Sequence, residues 1–114
     1  MEIEMPRCDR ETLAAVIVRY GGVLKRGIHR EGSSECCINE ARSVCLGIAW
    51  TDDPDRIGLP DLRPLNDGPW ATDLARTVAM VDVAEVLTDW ATWGATRQHA
   101  WTTRVVIRVV QEII

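Results

Sequence analysis

Apolar residues recur at helical spacing in four stretches of the chain. Leu13, Val16, Ile17 and Tyr20 follow Asp9, a residue type that caps helices, and precede Gly21-Gly22, which ends the segment. Ile38, Ala41, Val44 and Cys45 make a second stripe, with Ser33 and Ser34 expected to open the helix and Gly47 to close it. A third helix is expected to start at Asp67 or Gly68 with Pro69 near its first position, placing Trp70, Leu74, Val78 and Val81 on one side. Near Met80 the apolar phase shifts to Val83, Val86, Leu87 and Trp90, while Asp82, Glu85 and Asp89 line a polar edge. That shift predicts a kink, or two helices meeting.

The last segment, Ala95 to Ile114, contains the β-branched run VVIRVV, which favours strands. However, Arg97, Arg104, Arg108 and Gln111 recur at steps that a helix gathers on one face and a strand would scatter. A helix is the expectation. Trp101, Val105, Val106, Val109, Val110 and Ile113, with Ile107 and Ile114, cover more than the ~100° stripe of an ordinary surface helix. Such a helix must run through the core or bury its excess against another surface. Self-association as a homodimer through these residues is expected, or docking to a protein partner.

Between the second and third helices, Trp50 to Trp70 holds four of the five prolines. This long central loop is too broken for extended elements, although Thr51-Asp52-Asp53-Pro54 can start one helical turn. Loops of this length in small domains are functional or well pinned. Asn66 or Asp67 should cap the helix that follows, with Arg63, Asp67 and Trp70 as pocket lining in the alternative. The first six residues read as a short strand or a tail. With no repeat or linker, residues 1–114 are expected to form one mainly α domain, a bundle of four to six helices.

Composition adds exclusions. Seventeen acidic against thirteen basic residues give a net charge of −4, so no chain-wide basic footprint suits general nucleic-acid binding. No apolar run is long enough to span a membrane. No signal peptide is legible, and a cytoplasmic protein is expected. All basic residues but Lys25 are arginines, a population suited to internal ion pairs.

Four cysteines, Cys8, Cys36, Cys37 and Cys45, lack the Cys-x₂₋₄-Cys spacing of zinc ligands, so no metal site is expected even with His29 nearby. Adjacent cysteines pair poorly, and a reducing compartment would keep thiols free, so at least three are expected to be buried and unpaired. A sharper alternative places Cys36 and Cys37 in the first turn of the second helix, where the dipole favours a thiolate and His29 could serve as base. Glu40 borders that helix's apolar stripe; it is either a general base or, as expected of most such residues, an ion-pair partner of an arginine such as Arg42 or Arg63.

The basic stretch Lys25, Arg26, His29, Arg30 is ringed by glycines and runs into Ser33-Ser34. If those serines open a helix, its N–H groups could hold the phosphate of an anionic small molecule such as a nucleotide. A solvated loop balanced by nearby acids is the plainer reading. No cofactor is indicated.

The stretches Glu40-Ala41-x-Ser43, Gly47-x-x-Trp50-Thr51-Asp52-x-Pro54 and Asn66-Asp67 resemble small helical proteins of unassigned function in high-GC bacteria and their phages. About thirty residues carry the resemblance. It implies a helical fold and transfers no activity. Together these readings favour a non-enzymatic interaction module, such as a regulator, adaptor or inhibitor, possible in a bacterial or phage conflict system. A phosphate-ligand binder comes second and a Cys–His hydrolase or transferase third.

Overall fold

The computed structural model describes residues 8–113, and the side chains of residues 106 and 109–113 fall outside that description. Among the described residues the fold is all-α: α1 (Arg10–Arg19), α2 (Ile38–Cys45), α3 (Pro54–Ile57), α4 (Arg63–Asn66), α5 (Asp73–Val86) and α6 (Ala95–Ile113), with a 3-10 turn at Trp90–Thr92. The strand or tail expected at Met1–Pro6 lies outside the described residues.

α1 forms as its pattern dictates. The Asp9 carboxylate accepts the Thr12 N–H, and Leu13, Val16 and Ile17 turn inward. The chain then reverses at Gly21, whose φ of +96° and 3.1 Å clearance between a built Cβ and the Ser34 carbonyl leave room for glycine alone.

α2 is the hub. It packs against α1, α3, α4 and α5, and seven of its eight residues are buried. It does not start at Ser33-Ser34. The Ser33 hydroxyl instead bonds the backbone of Glu35, while the Lys25 N–H to Cys36 carbonyl bond of 2.9 Å holds the approach extended. Cys37 is the N-cap, its sulfur accepting the Glu40 N–H as the Glu40 side chain reaches back to the Cys37 N–H.

The central loop is pinned rather than loose. Pro54 sits in the first turn of α3 under the Asp53 cap, and Gly58 closes that turn at φ +66°. Ile57, Leu59 and Leu62 then enter the core.

α5 corrects two expectations. Its N-cap is Thr72, not Asp67 or Gly68, and it runs as one unbroken helix to Val86 rather than as two helices meeting near Met80. Leu74 and Val78 face solvent, whereas Arg76, Thr77, Met80, Val81 and Ala84 face inward. The apparent phase shift arises because two polar side chains occupy core positions. Thr77 Oγ accepts the buried Leu24 N–H at 2.8 Å, and the Arg76 guanidinium donates to the carbonyls of Asn66 and Gly68. The polar edge is real, since Arg10 pairs with Asp82 and Glu85.

After α5 the chain turns through Trp90 into α6. Among the described residues, α6 shares in none of the closer helix–helix packing that joins α1 to α5. It is held at its N-terminal half by aromatic contacts, with Trp90 5.3 Å from Trp93 and 5.5 Å from Trp101 between ring centres. The Gln98 side chain adds a 2.8 Å bond to the Trp90 carbonyl.

The cysteines also depart from expectation. All four are buried, but Cys8 and Cys45 form a disulfide that ties the approach to α1 to the end of α2. Their Cα atoms lie 5.3 Å apart, inside the range a disulfide requires. Only Cys36 and Cys37 are free. The fold brings together residues 37 positions apart, a proximity that spacing does not announce.

Candidate functional site

The residues singled out around the basic loop converge, though not as an anion pocket. Glu40 is fully buried and accepts three hydrogen bonds, from the His29 N–H at 2.7 Å, the His29 ring Nδ1 at 2.8 Å and the Cys37 N–H at 2.8 Å. Its partner is therefore His29, not Arg42 or Arg63. The other ring nitrogen of His29 lies 3.6 Å from the Glu35 carboxylate. Lys25 turns to Asp73 at 2.7 Å, and Arg26 and Arg30 stand exposed. Ser33 and Ser34 open no helix, and the true N-terminus at Cys37-Ile38 is occupied from within. Glu40 takes the first N–H, and the Asn66 side-chain oxygen takes that of Ile38 at 3.0 Å.

Asn66 does cap a helix, but it caps α2 rather than the one that follows it in sequence. Its amide also donates to the Lys25 carbonyl and to Asp67, whose carboxylate accepts the Gly27 N–H. Around this centre, Ser43 Oγ donates to the Glu40 carbonyl, the Trp50 indole donates to the His29 carbonyl, and Asn39 donates to the Asp52 carbonyl. Buried Glu40, Ser43 and Asn66, with half-buried Trp50, Asp52 and Asp67, are thus the frame of a polar network around α2. The network fixes three loops on α2, and most of its polar atoms are spent on one another, the Asn39 side-chain oxygen being left without a partner among the described residues.

The thiols stand apart from acid–base chemistry. Burial pushes the Cys36 thiol up to about 12, with the Glu40 charge acting in the same direction, and burial likewise raises Cys37. A thiolate nucleophile needs the opposite shift. The His29 ring meets carboxylates, so the Cys–His pair considered from sequence is not assembled. Among the described residues no group of three or more His, Cys, Asp or Glu side chains could hold a metal.

Sequence reasoning missed two buried arginines. Arg76 is described above; Arg42 donates to the Ile57 carbonyl at 3.2 Å and the Thr88 carbonyl at 3.4 Å, joining α2 to the end of α5. It also missed the company kept by α6. Trp93, Arg97, Ala100, Trp101 and Arg104 line a cleft of about 310 Å³. The Arg97 guanidinium lies 3.7 Å from the centre of the Trp93 ring. Tryptophan and arginine at steps of three and four on one helix were the signal available in sequence.

Of the interface residues expected on α6, Trp101 and Val105 are half-buried, and neighbouring Ile107 is 52% exposed. The side chains of Val106, Val109, Val110 and Ile113, and Ile114 as a whole, lie outside the described residues. No helix among the described residues is long and apolar enough to cross a membrane. No protein-family model, curated protein or solved structure matches the chain.

Proposed function

We propose that the protein is a non-enzymatic interaction module, a regulator, adaptor or inhibitor, that works by presenting α6 and self-associates through it as a homodimer. One observation carries this reading: the described side chains of α6 lie outside the core, with Trp101 resting on its edge. No described side chain of α6 is buried, although the helix contains the most β-branched and apolar run of the chain. None of the described side chains of α6 is centrally buried, which favours pairing with another surface. The buried thiols with raised pKa favour binding over covalent catalysis.

The compartment follows the disulfide. A closed Cys8–Cys45 pair suits an oxidising environment, and a reduced pair suits the cytoplasm expected from sequence. Alkylation before denaturation, followed by mass measurement, reads which state the purified protein holds.

Sedimentation velocity at micromolar concentration tests the association. The expected result is a species of about twice 12.8 kDa, returned to monomer by Val105→Asp with Ile107→Asp. A clean 12.8 kDa species for the unaltered chain overturns the homodimer.

A further inference from the structure

The N-terminal half of α6 carries a second feature, which does not depend on self-association. Arg97, Ala100, Trp101 and Arg104 stand at positions i, i+3, i+4 and i+7, so they share one face, and Trp93 closes the cleft from the preceding turn. Trp90 and Trp93 pack tilted, Trp90 and Trp101 edge to face, which fixes the aromatic wall, and the Trp93 ring holds Arg97 in place beneath its guanidinium. Rigid tryptophan and arginine side chains around a cleft are the groups that dominate protein-binding surfaces.

Charge says what such a cleft would take. Arg10, Arg63 and Arg76 each meet a carboxylate within the chain, whereas among the described residues Arg97 and Arg104, like Arg19, Arg26 and Arg30, meet none within 4 Å; of these, Arg97 and Arg104 are the pair that shares a cleft with indole walls. α6 holds three arginines and a single acid, Glu112, although acids outnumber bases in the chain as a whole. A cationic edge on an acidic molecule attracts compact anions. It repels a long polyanion whose remaining phosphates would face the acidic body, so nucleic acid fits less well. Arg97 and Arg104 are seven residues apart, or about 10 Å along the axis. Two carboxylates separated by two turns of a partner helix would reach both, and the space between them is walled by indole and Ala100.

We propose that this cleft is a binding site for an acidic amphipathic segment of a partner protein, one that sets two carboxylates two helical turns apart with an apolar side chain between them. Each guanidinium engages one carboxylate, and the apolar side chain lies against Trp101 and Trp93.

A fluorescein-labelled helical peptide of Glu and Leu with that spacing is the probe, read by fluorescence anisotropy with the full chain. The same peptide with Gln for Glu, and an oligothymidylate of similar length, are the comparisons. The Glu peptide is expected to bind and to weaken as salt rises. Arg97→Glu with Arg104→Glu, checked for unchanged helicity by circular dichroism, should weaken it at least tenfold and should favour a peptide carrying Lys for Glu. Failure of the Glu peptide to bind, equal binding of the Gln peptide, indifference to the charge reversal, or tighter binding of the oligothymidylate would each overturn the proposal. Because sedimentation decides the homodimer and anisotropy decides the cleft, either can fail alone.

Discussion

Glu40 shows how one buried side chain can organise a small protein. A carboxylate removed from water is costly unless its lone pairs are filled, and here the His29 N–H, the His29 ring and the Cys37 N–H fill them. Replacing Glu40 by Ala leaves three donors without an acceptor, so the expected loss of stability is about 3–5 kcal/mol. Glu40→Gln keeps one acceptor and should cost about 1–3 kcal/mol. Urea unfolding reads both. Losses below about 1 kcal/mol for the alanine variant would mean that the network does not hold the loops. Half of this site was legible in the sequence. Glu40 beside the apolar stripe, and His29 upstream, were both marked as unusual. Their mutual pairing was not, because it depends on a reversal of the chain between residues 29 and 40 that no local pattern encodes.

At the level of elements, local rules sufficed wherever polar and apolar positions alternate without conflict. α1 with its Asp9 cap, the turn at Pro54 and the helical reading of the VVIRVV segment all stand. The rules failed where polar side chains take core positions. Arg76 and Thr77 reverse the face of α5, and Cys37 replaces the serines as a cap because Glu40 and Asn66 complete the helix start from elsewhere. The disulfide belongs to the same class of long-range fact. By closing a loop between residues 8 and 45 it restricts the unfolded chain, and Cys8→Ser with Cys45→Ser should cost about 2–4 kcal/mol. A thermal melt with and without reductant should reproduce that difference in the unaltered chain and show none in the variant. The link from Lys25 to Asp73, joining the basic loop to the start of α5, has its own signature in pH. Hydrogen bonding to Lys25 and Arg76 holds the Asp73 carboxyl below the usual carboxylate range, and the same bond raises Lys25. The carboxylate's contribution is present above about pH 4 and is lost as pH falls through its lowered value. The ammonium's contribution is present below about pH 10 and is lost as pH rises through its raised value. Asp73→Asn should therefore flatten the stability profile at both ends while leaving the centre lower, as urea midpoints across pH would record.

On the scale of the whole molecule, a body built on α2 and a helix that leaves it have different claims on stability. Among the described residues the core contains none from α6, and Trp101 packs against it. Ending the chain after Arg104 removes no buried described side chain, so the melting temperature should move by no more than about 3 °C. Ending it after Gly94 also removes Trp101 from Trp90 and the Gln98 bond to the Trp90 carbonyl, at a cost of about 1–3 kcal/mol. The shorter loss should abolish self-association while leaving the Trp93–Arg104 cleft able to bind its peptide, whereas the longer one should abolish both. A large drop in melting temperature on removing residues 105–114 would show that the end of α6 is buried within its own chain, and the proposed interaction module would then have no free helix to present.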